Sequence, residues 1–219
     1  MKGKQTPPEL SLEVKKRTWE RTLQGEVVLR CELSWPELGG TWRGIGPIAR
    51  YYRRVVQEWE RRWERELYLY ACLDFADRRA AGKPFRVWEA RLTTCITRQE
   101  EGVLSLWQEG EEQRGFERSE AVRRGDTWSL DRGVPISLKS LCGRRRGWKR
   151  RLVKQLRTMA RERLDSGTSL LDRDCVSRLG RQFDPERFYL TQEGITVFFP
   201  MYRIGTGGEG IPQFQVSPG

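Results

Sequence analysis

The residues in this chain best suited to chemistry are cations. Arg144, Arg145, Arg146, Lys149, Arg150 and Arg151 place six positive charges in eight positions, and Lys154 and Arg157 extend the series. Like charges at the start of a helix oppose its dipole, at about 0.3–1 kcal/mol each in low salt. A sequence that carries them either uses the charge to bind phosphate or carboxylate groups, or presents a solvated basic loop. Trp148 among the arginines would suit stacking on a base or sugar, yet its helical phase assigns it to the core. No recognised nucleic-acid motif accompanies the cluster.

Other chemistries find little material. The chain has no histidine, which removes the usual general base and every Ser-His or Cys-His dyad. Cys31, Cys72, Cys95, Cys142 and Cys175 are scattered without a CxxC pair, so they read as reduced, mostly buried thiols and not as zinc ligands. Asp172-Arg173-Asp174, with Asp165 and Asp184 nearby, lacks the spacing of a calcium loop and reads as capping or turn residues. Asp74 and Asp77 would need burial or a close partner to act as an acid. Gly205-Thr206-Gly207-Gly208-Glu209-Gly210 lacks the Gly-Lys-Ser/Thr ending of a phosphate loop, and reads as a turn beside Tyr202. No catalytic residue, metal site or cofactor is assigned, and the expectation is a non-enzyme.

These residues must be positioned by a folded chain. Its 219 residues are only 37% hydrophobic, but nine Trp and eight Phe supply large burial per residue. The net charge of +11, carried by 33 Arg and 8 Lys, favours polyanionic partners or anionic surfaces. Met1 to Lys16 is charged, includes Pro7-Pro8, and leads into no apolar run fit for a signal or a membrane span. The expectation from that is a cytoplasmic protein without a membrane span. Oligomeric state and the identity of the ligand are not legible.

Residues 1–17 read as a flexible arm. Thr18 to Leu33 alternates as a half-buried strand, ended by Trp35-Pro36. A long helix is predicted from Ile45 to Arg79, with Ile48, Tyr52, Val55, Trp59, Trp63, Leu67 and Tyr70 facing inward. On its outer face Glu58 is expected to pair with Arg62, and Glu60 and Glu64 with Arg61 and Arg65. Val87 to Arg98 and Val103 to Gln108 form a predicted hairpin, followed by a strand and turn over Asp126 to Gly133. A second helix is predicted from Trp148 to Arg163, with Trp148, Leu152, Leu156, Met159 and Ala160 inward. A short helical piece follows near Leu171 to Leu179. Phe188 to Leu190 and Ile195 to Phe199 are strands around a Gln192-Glu193-Gly194 turn, Pro200 stops the second, and Gln213 to Val216 is the last.

The run Phe188-Tyr189-Leu190-Thr191, Gly194, Pro200, Tyr202, Ile204-Gly205 and Gly210-Ile211-Pro212 resembles the C-terminal domain shared by RsiV-type anti-sigma factors, which act as lysozyme receptors, and PdaC-type peptidoglycan deacetylases. The resemblance spans roughly residues 24–217 and is strongest after 186. Trp35-Pro36, Gly102-Val103-Leu104-Ser105-Leu106 and Ile136-Ser137-Leu138-Lys139-Ser140-Leu141 fit its other segments. Gln113 to Arg118 stands where that family carries a Gly-Ala-His-type motif, so any role of that motif is not carried over. The resemblance implies a protein or cell-wall ligand and a place in the envelope or spore layer. A lysozyme suits poorly, because a +11 receptor repels a strongly basic protein.

The expected fold is α+β, a mainly antiparallel sheet packed against one long and one shorter helix. Residues 18–219 are expected to make a single domain whose halves, 18–130 and 131–219, share one core. The expected function is non-catalytic binding or sensing of a protein or an anionic envelope polymer. The alternatives are a nucleic-acid-associated protein using the 144–151 cluster and a structural protein of the spore-layer kind.

Overall fold

A computed structural model describes residues 8–100, 102–143 and 146–217. The chain opens as a long hairpin, β1 (Leu10–Leu23) and β2 (Glu26–Gly40). Its turn residues Gln24 and Gly25 have φ of 52° and 86°, the left-handed pair that matches the twist of a two-residue hairpin. Thr18 to Leu33 is therefore parts of two strands, not one. Leu10 to Arg17, expected in an arm, instead form the first half of β1, because Leu10 and Leu12 pack beside the core residues Ile48 and Tyr52. Residues 1–7 of the expected arm lie outside the described residues. Trp35-Pro36 does not end β2 either. Pro36 pairs with Val14 and lies past Leu33, the last β2 residue paired with β3, where the strand has one neighbour and a proline is tolerated.

β2 feeds a continuous helical rod: α1 (Ile45–Arg62), a π turn (Trp63–Leu67) and α2 (Tyr68–Ala80). The rod crosses over the sheet, so β3 (Trp88–Glu100) returns parallel to β2. β4 (Val103–Gln113), β5 (Glu120–Ser129) and β6 (Val134–Pro135) then follow as an antiparallel meander. The six strands lie in chain order. The α+β expectation holds.

Ile48 and Tyr52 of α1 pack with Leu104, Leu106 and Trp128, whereas Trp63, Leu67, Ala71 and Phe75 cover Leu29, Leu33 and Leu92. Each leucine sealed in this way contributes about 1.5–3 kcal/mol. Tyr70 was expected inward but is 58% exposed. Leu67 is buried as expected, and the π turn, which adds a residue to one repeat, shifts the next inward positions to Ala71 and Phe75. The expected charge pairs along the helix are also replaced. Glu60 holds Arg17 at 2.6 Å, and Glu64 holds Arg21 at 2.5 Å and the Trp19 indole N–H at 2.7 Å. These carboxylates reach β1, which lies alongside, sooner than their neighbours on the same helix.

The C-terminal part comprises α3 (Leu138–Leu141), α4 (Trp148–Asp165), α5 (Cys175–Gln182) and a three-stranded antiparallel sheet. Its strands are β7 (Phe188–Thr191), β8 (Gly194–Phe198) and β9 (Gln213–Val216), as the alternation and turn residues predict. Leu152, Leu156 and Ala160 of α4 are buried, with Trp148 and Met159 packed against their cluster. The short helix begins later than predicted, at Cys175, because Leu171 forms a bridge with Gly205 instead. β7 docks on the large sheet, where the Leu190 N–H donates to Ser105 Oγ at 2.8 Å. The five cysteines are unbridged. Burial, with a smaller contribution from Glu64, pushes the Cys31 thiol up to about 12. No helix among the described residues is long and apolar enough to cross a membrane.

Candidate functional site

α4 is an amphipathic helix whose inner face is fixed by Leu152, Val153, Leu156 and Ala160. That phase leaves Arg150, Lys154, Arg157 and Arg161 in one outer stripe, at steps of four, three and four residues. The helix starts at Gly147, left-handed at φ 81°, with no side-chain cap and no carboxylate in its first turn. The outer stripe and the start of the helix form one wall of an open groove of about 690 Å³, and α5 contributes Gly180.

Five cations line this groove: Lys149, Arg150, Lys154, Arg157 and Arg161, with Val153 and Thr158 between them and no carboxylate. Gly180 makes room for Arg157. A Cβ there would stand 3.0 Å from Arg157 Nη2 and 3.7 Å from Val153 Cγ1, so the guanidinium lies close against the α5 backbone. Arg157 Nε is buried and meets no acceptor among the described residues. Lys149 Nζ sits 5.4 Å from the Phe183 ring centroid, a cation–π arrangement that orders the amine without neutralising it. Among the described residues, ion pairs engage the cations of β1, β2 and β5 but none on α4. The groove therefore holds its charge uncompensated.

The basic cluster read from the sequence is divided by the structure. Lys149 and Arg150 line the groove, whereas Arg151 turns away, donating from Nη1 to the Arg146 carbonyl at 3.1 Å and lining a small cleft with Cys142 and Gln155. Arg146 is exposed beside the helix start. Arg144 and Arg145 lie outside the described residues. Trp148 is partly buried, its ring edge-on to Phe183 at 6.5 Å between centroids. Arg161 and Gly180 were not singled out from the sequence. The four-three-four spacing from Arg150 to Arg161 was the available signal, while Gly180 comes from a separate helix.

The residues that carried the family resemblance build a connection, not a pocket. Phe188 and Tyr189 are buried in β7, and Gly194 opens β8 at φ 141°. Pro200 follows β8, Tyr202 is left-handed at φ 64°, and the Pro212 carbonyl accepts from the Phe199 N–H at 2.9 Å. Gly205 bridges to Leu171 and Gly210 takes φ 69°. The glycine-rich stretch turns beside Tyr202 as expected, a Cβ at Gly207 falling 2.8 Å from that ring.

The acidic residues Asp172, Asp174 and Asp74 are occupied. Arg178 pairs with Asp172 and, at 2.9 Å, with Asp174. Asp74 accepts from Arg78 at 2.7 Å and from the Trp88 indole at 3.1 Å, and does not face Asp77. No group of three metal-ligating side chains forms among the described residues. Two buried carboxylates sit at the sheet. Burial pushes the Asp126 carboxyl up, against the opposing pull of Arg124 and the Tyr52 hydroxyl. Tyr52 in turn accepts from the Trp128 indole at 2.8 Å. Burial also pushes at Glu112, but hydrogen bonds from Arg62 and Arg114 outweigh it and hold this carboxyl below its ordinary value.

With this geometry in view, comparison with known proteins bears on the C-terminal third and on the fold. Residues 148–217 match the DUF3298 family model, described as a protein of unknown function. The match takes in all of α4 and the β7–β9 sheet. A solved DUF3298 family member from Bacteroides fragilis is 14% identical, with a TM-score of 0.57 over 95% of this chain and 90% of that one. A DUF3298 family protein from Pseudomonas aeruginosa is 13% identical, with a TM-score of 0.58 over 97% of this chain and 91% of that one. At these identities the likeness is one of fold. Comparison with curated proteins gives no match.

Proposed function

We propose that this chain is a non-catalytic binding protein that holds a polyanion along the outer face of α4. The observation that carries the reading is the groove of Lys149, Arg150, Lys154, Arg157 and Arg161, which contains no carboxylate in its lining. From Arg150 to Arg161 the stripe runs about 16 Å at 1.5 Å per residue, long enough to meet several charges of an extended chain. The resemblance to RsiV-type ectodomains supports the same class of activity, recognition at the cell envelope, and the ligand proposed is an anionic wall polymer of the teichoic type. Nucleic acid is the second reading. It is favoured by the same cations but lacks any aromatic side chain exposed in the groove lining on which a base would stack.

The test is fluorescence anisotropy with labelled teichoic-type polymer, single-stranded DNA and a neutral polysaccharide, over a range of salt. The expected result is binding of the wall polymer that weakens as salt rises. The double variant R157Q/R161Q should bind at least about tenfold more weakly, with a shallower salt slope, since each lost phosphate contact reduces that slope by a fraction of one. A control variant, R17Q, removes a cation already paired with Glu60 and should leave affinity unchanged. Binding equal to wild type in R157Q/R161Q would overturn the groove as the site. Preference for DNA over the wall polymer would establish the second reading in place of the first.

A further inference from the structure

The side-chain layer between α1 and the large sheet has a gap. Gly110 of β4 and Val122 of β5 stand directly opposite one another, and cross-strand neighbours of this kind normally cover each other. Here the glycine has no side chain to offer. A Cβ at position 110 would fall 2.4 Å from Trp59 Cη2 and 2.7 Å from Cζ2, so the indole from α1 lies against bare β4 backbone. Val122 is left 67% exposed. Trp59 and Val122 thereby become the apolar lining of an open cavity of about 420 Å³, a size in the range of small-ligand sites.

The charged lining sorts into two parts. Arg62 and Arg114 are committed to the buried Glu112, at 3.0 and 2.9 Å. Glu58 and Glu120 are exposed and enter no ion pair among the described residues. Arg62 stands one turn on from Glu58, but Glu112 draws it away. One carboxylate from α1 and one from β5 are therefore free at the same cavity. The chain as a whole, at +11, repels cations at long range, so any site for a cation must be built locally, as this one is.

We propose that this cavity binds an aliphatic diamine or polyamine. Two ammonium ends answer the two free carboxylates, and the methylene stem covers Trp59 and Val122. The indole adds attraction for a positive charge beside its face. An anion would meet Glu58 and Glu120 while finding both arginines already taken by Glu112. A single ammonium would leave one carboxylate unanswered. The cavity shares no residue with the α4 groove and takes ligands of the opposite sign.

Cadaverine, pentylamine and pentanediol share a five-carbon stem and carry two, one and no ammonium groups. Each is titrated at low salt into the isotope-labelled full chain, following the Trp59 indole N–H resonance. Cadaverine should shift that resonance with a Kd on the order of 0.1–1 mM, since exposed charge contacts are individually weak. Pentylamine should bind about fivefold more weakly, and pentanediol should leave the resonance in place. E58Q/E120Q should weaken cadaverine binding by about tenfold or more, while melting near the wild-type temperature because both carboxylates are exposed. V122K, which puts an ammonium of the chain's own into the cavity, should weaken it as well. E193Q removes an exposed carboxylate outside the cavity and should change nothing. No shift of the Trp59 resonance by cadaverine up to about 20 mM would overturn the proposal. So would pentylamine binding as tightly as cadaverine, or E58Q/E120Q binding cadaverine like wild type.

Discussion

A single methyl group at position 125 is expected to lower the melting temperature of the chain by roughly 6–12 °C. Gly125 lies in β5 opposite Trp107, and β7 crosses directly over it. A Cβ there would stand 2.1 Å from the Phe188 carbonyl oxygen, 2.8 Å from its carbon and 3.1 Å from the Phe198 ring. The obstacle is backbone, held by the pairing of Phe188 with Val197 and by the Leu190 N–H bond to Ser105. No rotamer change relieves it, so β7 must lift from the large sheet. Overpacking of this kind costs about 3 kcal/mol, the upper part of the usual range. Thermal and urea unfolding of Gly125→Ala would measure it. Gly39→Ala is the comparison, since its Cβ would meet only Ser11 Cβ at an ordinary 3.7 Å. If both variants melt like wild type, β7 does not seal the two sheets together.

The second large effect is expected at Glu112. Its carboxylate, 10% exposed, takes Arg62 at 3.0 Å and Arg114 at 2.9 Å. Glu112→Ala should cost about 2 kcal/mol at neutral pH, less than for a fully buried pair, because both arginines can regain water. The pH dependence has a definite sign. A carboxyl held below its ordinary value stabilises the fold at any pH above the ordinary range, and that contribution is lost as pH falls through the folded-state value. The gap between Glu112→Gln and wild type should therefore be widest near neutrality and narrow in acid. Asp126 has the opposite sign. Burial favours its protonated form in the fold, so its contribution is present below the ordinary carboxylate range and declines as pH rises through the folded-state value. A gap at Glu112 that widened on acidification would mean that its arginine partners do not hold the charged form.

The strands of the C-terminal sheet and both main helices were legible because local pattern determines them. Alternation set β7 and β8, Gly194 and Pro200 marked their limits, and apolar spacing set α4. The readings that failed depended on neighbours distant in sequence. Trp35-Pro36 looked like a strand end because nothing local tells that β3 stops pairing at Leu33. Tyr70 looked inward because a regular helix was assumed through Trp63 to Leu67, where the chain widens by a residue. Glu60 and Glu64 were assigned partners on their own helix, whereas β1 supplies closer ones. The groove was half legible. Lys149, Arg150, Lys154 and Arg157 were visible as a charge run, but Arg151 belongs to another face, and only the tertiary fold brings Gly180 against Arg157.

The large sheet ends on one side in β1, a strand of fourteen residues whose outer edge is unpaired among the described residues. A long open edge invites foreign strands to add to it. Here Lys15, Lys16, Arg17 and Arg21 stand on that strand, each held in an ion pair within the fold, so a second β1 laid beside it would have to accommodate a row of charged, already partnered side chains. The far edge is guarded by brevity, since β6 is two residues long and one of them is Pro135. Charged side chains on one edge and shortness on the other thus guard the sheet against strand addition.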